Sequence, residues 1–280
     1  MIILLSIVDL KKELGNNIYI YPVHIESIKS NSIDLHISKF AWSLNTKKRI
    51  GDDEYIIIPA HDTALIYTEE SIYVSRNIGG SYHSKVTLVS QGAGHIGTAL
   101  DAQYIGCSII AIHNHSNKEL KWEIGSEFVT LQFWYLNSPD YEDATSHDNE
   151  PGHPRMLNGF DDVKTYIEWR DKNTWTTRKK DLYNKMIASA EYKQCKEEYQ
   201  RELDTFNRGK VKGRIKRYLY IFVAAIVFAL LLCIPSYVFE FGKISEIVKI
   251  ISEKVIFPAI VTVITTFIIV DIKNNSNSVK

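Results

Sequence analysis

The chain has 280 residues, and its 33 Lys and Arg balance 33 Asp and Glu, so the formal charge at pH 7 is zero. That length can build one or two domains with real cores, and the cancelled charge gives no global field that would recruit nucleic acid. Cys107, Cys195 and Cys233 show no Cys-x-x-Cys spacing. The pattern suggests reduced thiols in a cytosolic setting and argues against a disulfide framework or a zinc site.

The opening apolar run, Ile2–Val8, lacks a basic flank and is interrupted by Asp9-Leu-Lys-Lys-Glu. It is too short for the apolar region of a signal peptide. From Ile18 to Leu136 the texture is β. Ile18–Tyr21, Tyr55–Ile58, Ala64–Tyr67, Ser108–Ile112 and Glu127–Trp134 are short apolar strands separated by Gly, Pro, Asn and Asp. That spacing is typical of an all-β barrel or sandwich. Gly79-Gly80, Gly92-Ala-Gly94 and Gly97 mark tight turns or places where backbone approaches a ligand.

Residues 140–177 read as a linker, polar and broken at first, with a mixed stretch near 160–175. From 178 to 216 the sequence predicts an amphipathic helix. Leu182, Met186, Ser189, Tyr192, Cys195, Tyr199, Leu203 and Phe206 recur at three- and four-residue steps. Such a stripe docks on its own domain or self-associates as a stalk.

Tyr218–Phe239 then runs 22 residues without a charge, and Val255–Val270 runs 16 with Pro258 inside. Arg208, Lys210, Lys212, Arg214, Lys216 and Arg217 crowd the entrance to the first run. These features predict a two-helix membrane hairpin over 217–272 in a lipid bilayer. The N-terminal domain and the tail 273–280 would both be cytoplasmic.

Several blocks occur in a telling order: Ser32-Ile-Asp-Leu35, Tyr55-Ile-Ile-Ile-Pro-Ala60, Thr68-Glu-Glu70, Thr98-Ala-Leu-Asp-Ala-Gln-Tyr-Ile-Gly106 and Ile124-Gly125 to Phe133. Together they resemble the dCTP deaminase and dUTPase superfamily over about residues 1–137, within a nucleotide-binding domain expected to span 1–139. The resemblance implies a mainly β, jelly-roll-like barrel that forms homotrimers with nucleotide sites between subunits. It implies a pyrimidine deoxynucleotide ligand accompanied by Mg²⁺, with no metal cage built directly from side chains.

Carried over residue by residue, the resemblance makes Asp101 the general base for water and Tyr104 the aromatic packed on deoxyribose. Asp34 would lie near the phosphates. The phosphate-binding motif falls on His83, Ser84 and Lys85, where the family's first Arg has become His83 and a second aligns with Leu88. An imidazole cannot supply the planar fork that Arg offers a phosphate. The Glu that shuttles protons in deaminases aligns with Ala111, and a methyl group moves no protons. Pro151–Phe160 is the only candidate for a closing tail.

Two functions follow. One is a nucleotide-binding sensor, such as an antiviral effector, passing its ligand state to the C-terminal helices. The other is a dUTPase-like diphosphatase that uses Asp101. A ligand-free scaffold is a third, plainer reading.

Overall fold

The computed structural model describes residues 3–95, 97–137 and 151–238, together with residues 254, 258 and 262. It divides into two compact units, Met1–Arg201 and Glu202–Lys280.

The first unit opens with a short strand β1 (Ile3–Leu4) and helix α1 (Ile7–Glu13). Ser6 starts that helix with a reciprocal cap. The Asp9 amide donates to the Ser6 hydroxyl, and the Ser6 amide donates to the Asp9 carboxylate at 3.1 Å. The strands that follow are β2 (Ile18–Tyr21), β3 (Ser32–Ser43), β4 (Tyr55–Ile58), β5 (Thr63–Val74) and β6 (Ile78–Ser84). After the single turn α2 (Val86–Val89) come β7 (Ala93–Gly94), β8 (Ala99–Leu100), β9 (Ile105–Asn114), β10 (Leu120–Glu123) and β11 (Glu127–Tyr135).

The main sheet runs β7-β9-β5-β3-β11-β6-β8, with β1 on β11 and β2 on β5, while β4 and β10 pair separately. Residues 32–36 of β3 pair with β11, and residues 37–43 pair with β5. One long strand thus feeds two neighbours, and the sheet curls around Leu35, Ile37, Ile66, Ile72, Val129, Leu131 and Phe133, all buried. The fold is mainly β, as expected.

Three helices follow: α3 (Val163–Lys172), α4 (Lys179–Ala188) and α5 (Ala190–Val238). Residues 151–201 belong to the same compact unit as the sheet, although part of this stretch reads as linker in the sequence. Tyr166 stacks on Tyr67 at 4.1 Å beside Phe40 and Trp42. Leu182 and Met186 are fully buried, and the Ile20 amide points at Met186 Sδ at 3.4 Å. Each such side chain contributes roughly 2–3 kcal/mol as an upper estimate. The single helix expected from 178 is broken at Ser189, whose ψ of 149° is extended. Of the apolar stripe, Leu182, Met186 and Cys195 dock on the domain itself, whereas Phe206 is exposed.

The membrane hairpin is corrected. Among the described residues no helix is long and apolar enough to cross a membrane. A span needs about 20 consecutive apolar residues. The second expected run, 255–270, lies outside the described residues apart from 258 and 262, as does the tail 273–280. The two-span, membrane-bound location is therefore withdrawn.

Candidate functional site

Successive side chains of a strand alternate between faces, so Ser32, Asp34, His36 and Ser38 share one face of β3. All four are buried, and a buried polar row needs partners. Across the ladder, Thr130 of β11 lies opposite Asp34, and His83 of β6 lies opposite Thr130. Thr130 Oγ1 donates to Asp34 Oδ1 at 2.5 Å, and Lys85 Nζ donates to Asp34 Oδ2 at 2.6 Å. Lys85 also donates to Glu127 Oε2 at 2.5 Å, while the Ser27 hydroxyl donates to Glu127 Oε1 at 2.8 Å.

Electrostatics follow from this closure. Burial opposes ionisation of Glu127, but the hydrogen bonds from Lys85 and Ser27 and the Lys85 charge outweigh it and hold the carboxyl at about 2. Burial likewise opposes the Lys85 ammonium, and the bonds to Asp34 and Glu127 outweigh it and raise its pKa.

Asp34 and Lys85, expected to be phosphate-region residues, are thus brought into one ion pair. Ser84 turns instead to His95, with its hydroxyl 2.8 Å from Nδ1. His83 is exposed and lies 2.7 Å from the Ser81 hydroxyl. Asp101 is exposed in the turn between β8 and β9, where its carbonyl accepts from the Tyr104 amide at 3.2 Å. Tyr104 is half-buried, donates to the Cys107 carbonyl at 3.0 Å and lies 5.7 Å from the His153 ring. Ala111 sits on β9 opposite Leu65.

The candidate closing segment packs on the start of β9. Tyr67 donates its hydroxyl to the Gly152 carbonyl at 2.7 Å. Gly106 adopts a φ of +139°, and a Cβ there would collide with the Gly152 nitrogen. Only glycine fits that approach.

A Mg²⁺ ion held directly on Asp34 does not fit these residues. One Asp34 oxygen is taken by Thr130 and the other by Lys85, with Lys29 3.8 Å away.

A second cluster escaped the sequence reading. His36 Nδ1 hydrogen-bonds Glu70 Oε1, and the His36 amide donates to Glu70 Oε2 at 3.0 Å. The His24 ring lies 4.0 Å from the His36 ring, tilted by 47°, and faces Glu69 and Glu70. The sequence signal was the polar alternation of β3 continuing past Asp34 to His36, together with the doubled carboxylate Glu69-Glu70. Two β-bulges complete the arrangement. The register shifts between Ile37 and Ala41 on β3, and between Tyr67 and Ser71 on β5. Bulges re-aim side chains in this way.

The chain matches no family model. The dCTP deaminase of Pyrococcus furiosus is 24% identical over 127 residues, covering 45% of this chain and 81% of that protein. The dCTP deaminase of Pyrococcus abyssi is 26% identical over 127 residues, covering 45% and 82%. Among solved structures, the 2′-deoxycytidine 5′-triphosphate deaminase from Agrobacterium tumefaciens has a TM-score of 0.42 at 11% identity. That match covers 48% of each chain, so this chain spans about half the length of that structure. About half of the chain is thus similar in sequence to dCTP deaminases.

Proposed function

We propose that the N-terminal domain binds a pyrimidine deoxynucleotide of the dUTP or dCTP class, as a homotrimer, without deaminating it. Ala111 carries this reading, because the family resemblance aligns it with the proton-shuttling Glu and its side chain can neither take nor give a proton. Lys85 supports the sensing part. A triphosphate reaching this lysine competes with Asp34 and Glu127 for its ammonium, so binding has to open a closed ion pair. A ligand that favours the open arrangement shifts the population toward it by its difference in affinity. The beginning of α5 packs on the same unit through Cys195, which gives such a shift a continuous helix to act on. Any divalent ion would arrive on the ligand's own phosphates, because Asp34 is already engaged. A signalling role, antiviral defence included, extends this reading.

The second reading, a diphosphatase, draws on Asp101. It is exposed in the turn three residues before Tyr104 and available to activate water. Incubating the full chain with dUTP, dCTP and dTTP while following pyrophosphate and ammonia separates the two. The sensor reading expects neither product. Pyrophosphate release abolished by Asp101→Ala establishes the diphosphatase, and ammonia release refutes the role assigned to Ala111.

A further inference from the structure

His24 precedes the turn that leads into β3, His36 lies on β3, and Glu69 and Glu70 lie in the bulge of β5. One donor atom from each of these four side chains lies within 4.8 Å of every other. His36 and Glu70 are buried and form a floor, while His24 and Glu69, 28% and 40% exposed, form a rim open to solvent.

We propose that these four residues bind a divalent first-row transition ion of the Zn²⁺ class. In a tetrahedral zinc site with bonds of about 2.0–2.1 Å, neighbouring donor atoms sit roughly 3.3 Å apart. His24 Nε2 lies 3.6 Å from Glu69 Oε2 and 3.8 Å from Glu70 Oε1, a few tenths of an ångström from that spacing. The His36–Glu70 pair, now closed to hydrogen-bond contact, only has to part to donor–donor spacing.

Two imidazoles in a set of four favour a borderline transition ion over Mg²⁺ or Ca²⁺, which prefer oxygen donors throughout. Two carboxylates with two neutral imidazoles neutralise a dication without leaving a net charge at the buried floor. His24 Nε2 is buried and faces the Glu69 and Glu70 carboxylates at 3.6 and 3.8 Å, beyond ordinary hydrogen-bond contact. A plain His36–Glu70 core pair does not by itself bring His24 and Glu69 to the same point. An outer contact is present too. His36 Nε2 lies 3.3 Å from the Ser27 hydroxyl. Such partners fix the orientation of ligating histidines.

The site is tested without nucleotide, so its failure leaves the nucleotide reading standing. Full-length protein treated with EDTA is titrated with ZnCl₂ by calorimetry, alongside His24→Ala, Glu69→Gln and His113→Ala. The first two variants alter rim side chains, and their metal-free melting curves show whether they fold. The expected result is one tight site per chain, at least about 10-fold weaker in each rim variant and unchanged by His113→Ala. MgCl₂ should not compete. Zinc binding that is equal in wild type and both rim variants, or that is lost with His113→Ala, overturns the assignment.

Discussion

Lys85 Nζ and Asp34 Oδ2 lie 2.6 Å apart, joining residues 51 positions apart in the chain. The lysine proposed to meet an anionic ligand is therefore already matched to an internal anion. Replacing Lys85 with Met should leave Asp34 and Glu127 facing each other without their cation. Removing one partner of a buried ion pair costs about 3–5 kcal/mol, and the partial exposure of Lys85 reduces that to roughly 2 kcal/mol. Urea denaturation of the two proteins measures the difference, and equal midpoints would show that the pair contributes nothing.

Glu127 makes stability depend on pH. Its folded pKa, about 2, lies below its ordinary value of 4.5. A depressed carboxyl contributes stability that is fully present above 4.5 and lost as the pH falls from 4.5 toward 2. Glu127→Gln should therefore flatten the acid limb of a melting-temperature profile in that window and leave the slope from pH 6 to 8 unchanged. An unaltered acid limb would count against the Lys85–Glu127 interaction.

Met186 anchors α4 to β2. Met186→Ala removes a fully buried side chain and should cost about 2–5 kcal/mol. If residues 178–188 were instead a detached stalk, the substitution would cost little, so a denaturation midpoint distinguishes the arrangements.

Gly106→Ala combines a left-handed backbone with a collision against Gly152. The expected outcome is a loss of at least about 1 kcal/mol and faster limited proteolysis around residues 151–157. Proteolysis identical to wild type would mean that the segment does not depend on Gly106.

The sequence showed much of the fold and less of the site. Ile18–Tyr21, Tyr55–Ile58 and Glu127–Trp134 were readable because apolar runs between turn residues leave few alternatives, and they became β2, β4 and most of β11. The full length of β3 was harder to see. Its Ser-Ile-Asp-Leu-His-Ile-Ser alternation places polar residues on a buried face, where pattern reading expects apolar ones. The break at Ser189 carries neither Gly nor Pro. The apolar run after Arg217 suggested a membrane span, an expectation that the described helix does not support. Pairings such as Lys85 with Asp34 and His24 with Glu69 depend on strand register and bulges, which no local window of sequence encodes.

The most direct test of the account is calorimetric titration of the full chain with dCTP, dUTP and dATP, repeated with Lys85→Met. The account predicts that a pyrimidine nucleotide binds, that dATP does not, and that the lysine variant binds at least about 10-fold more weakly. A chain that takes up none of the three, or that binds them equally with and without Lys85, would contradict it.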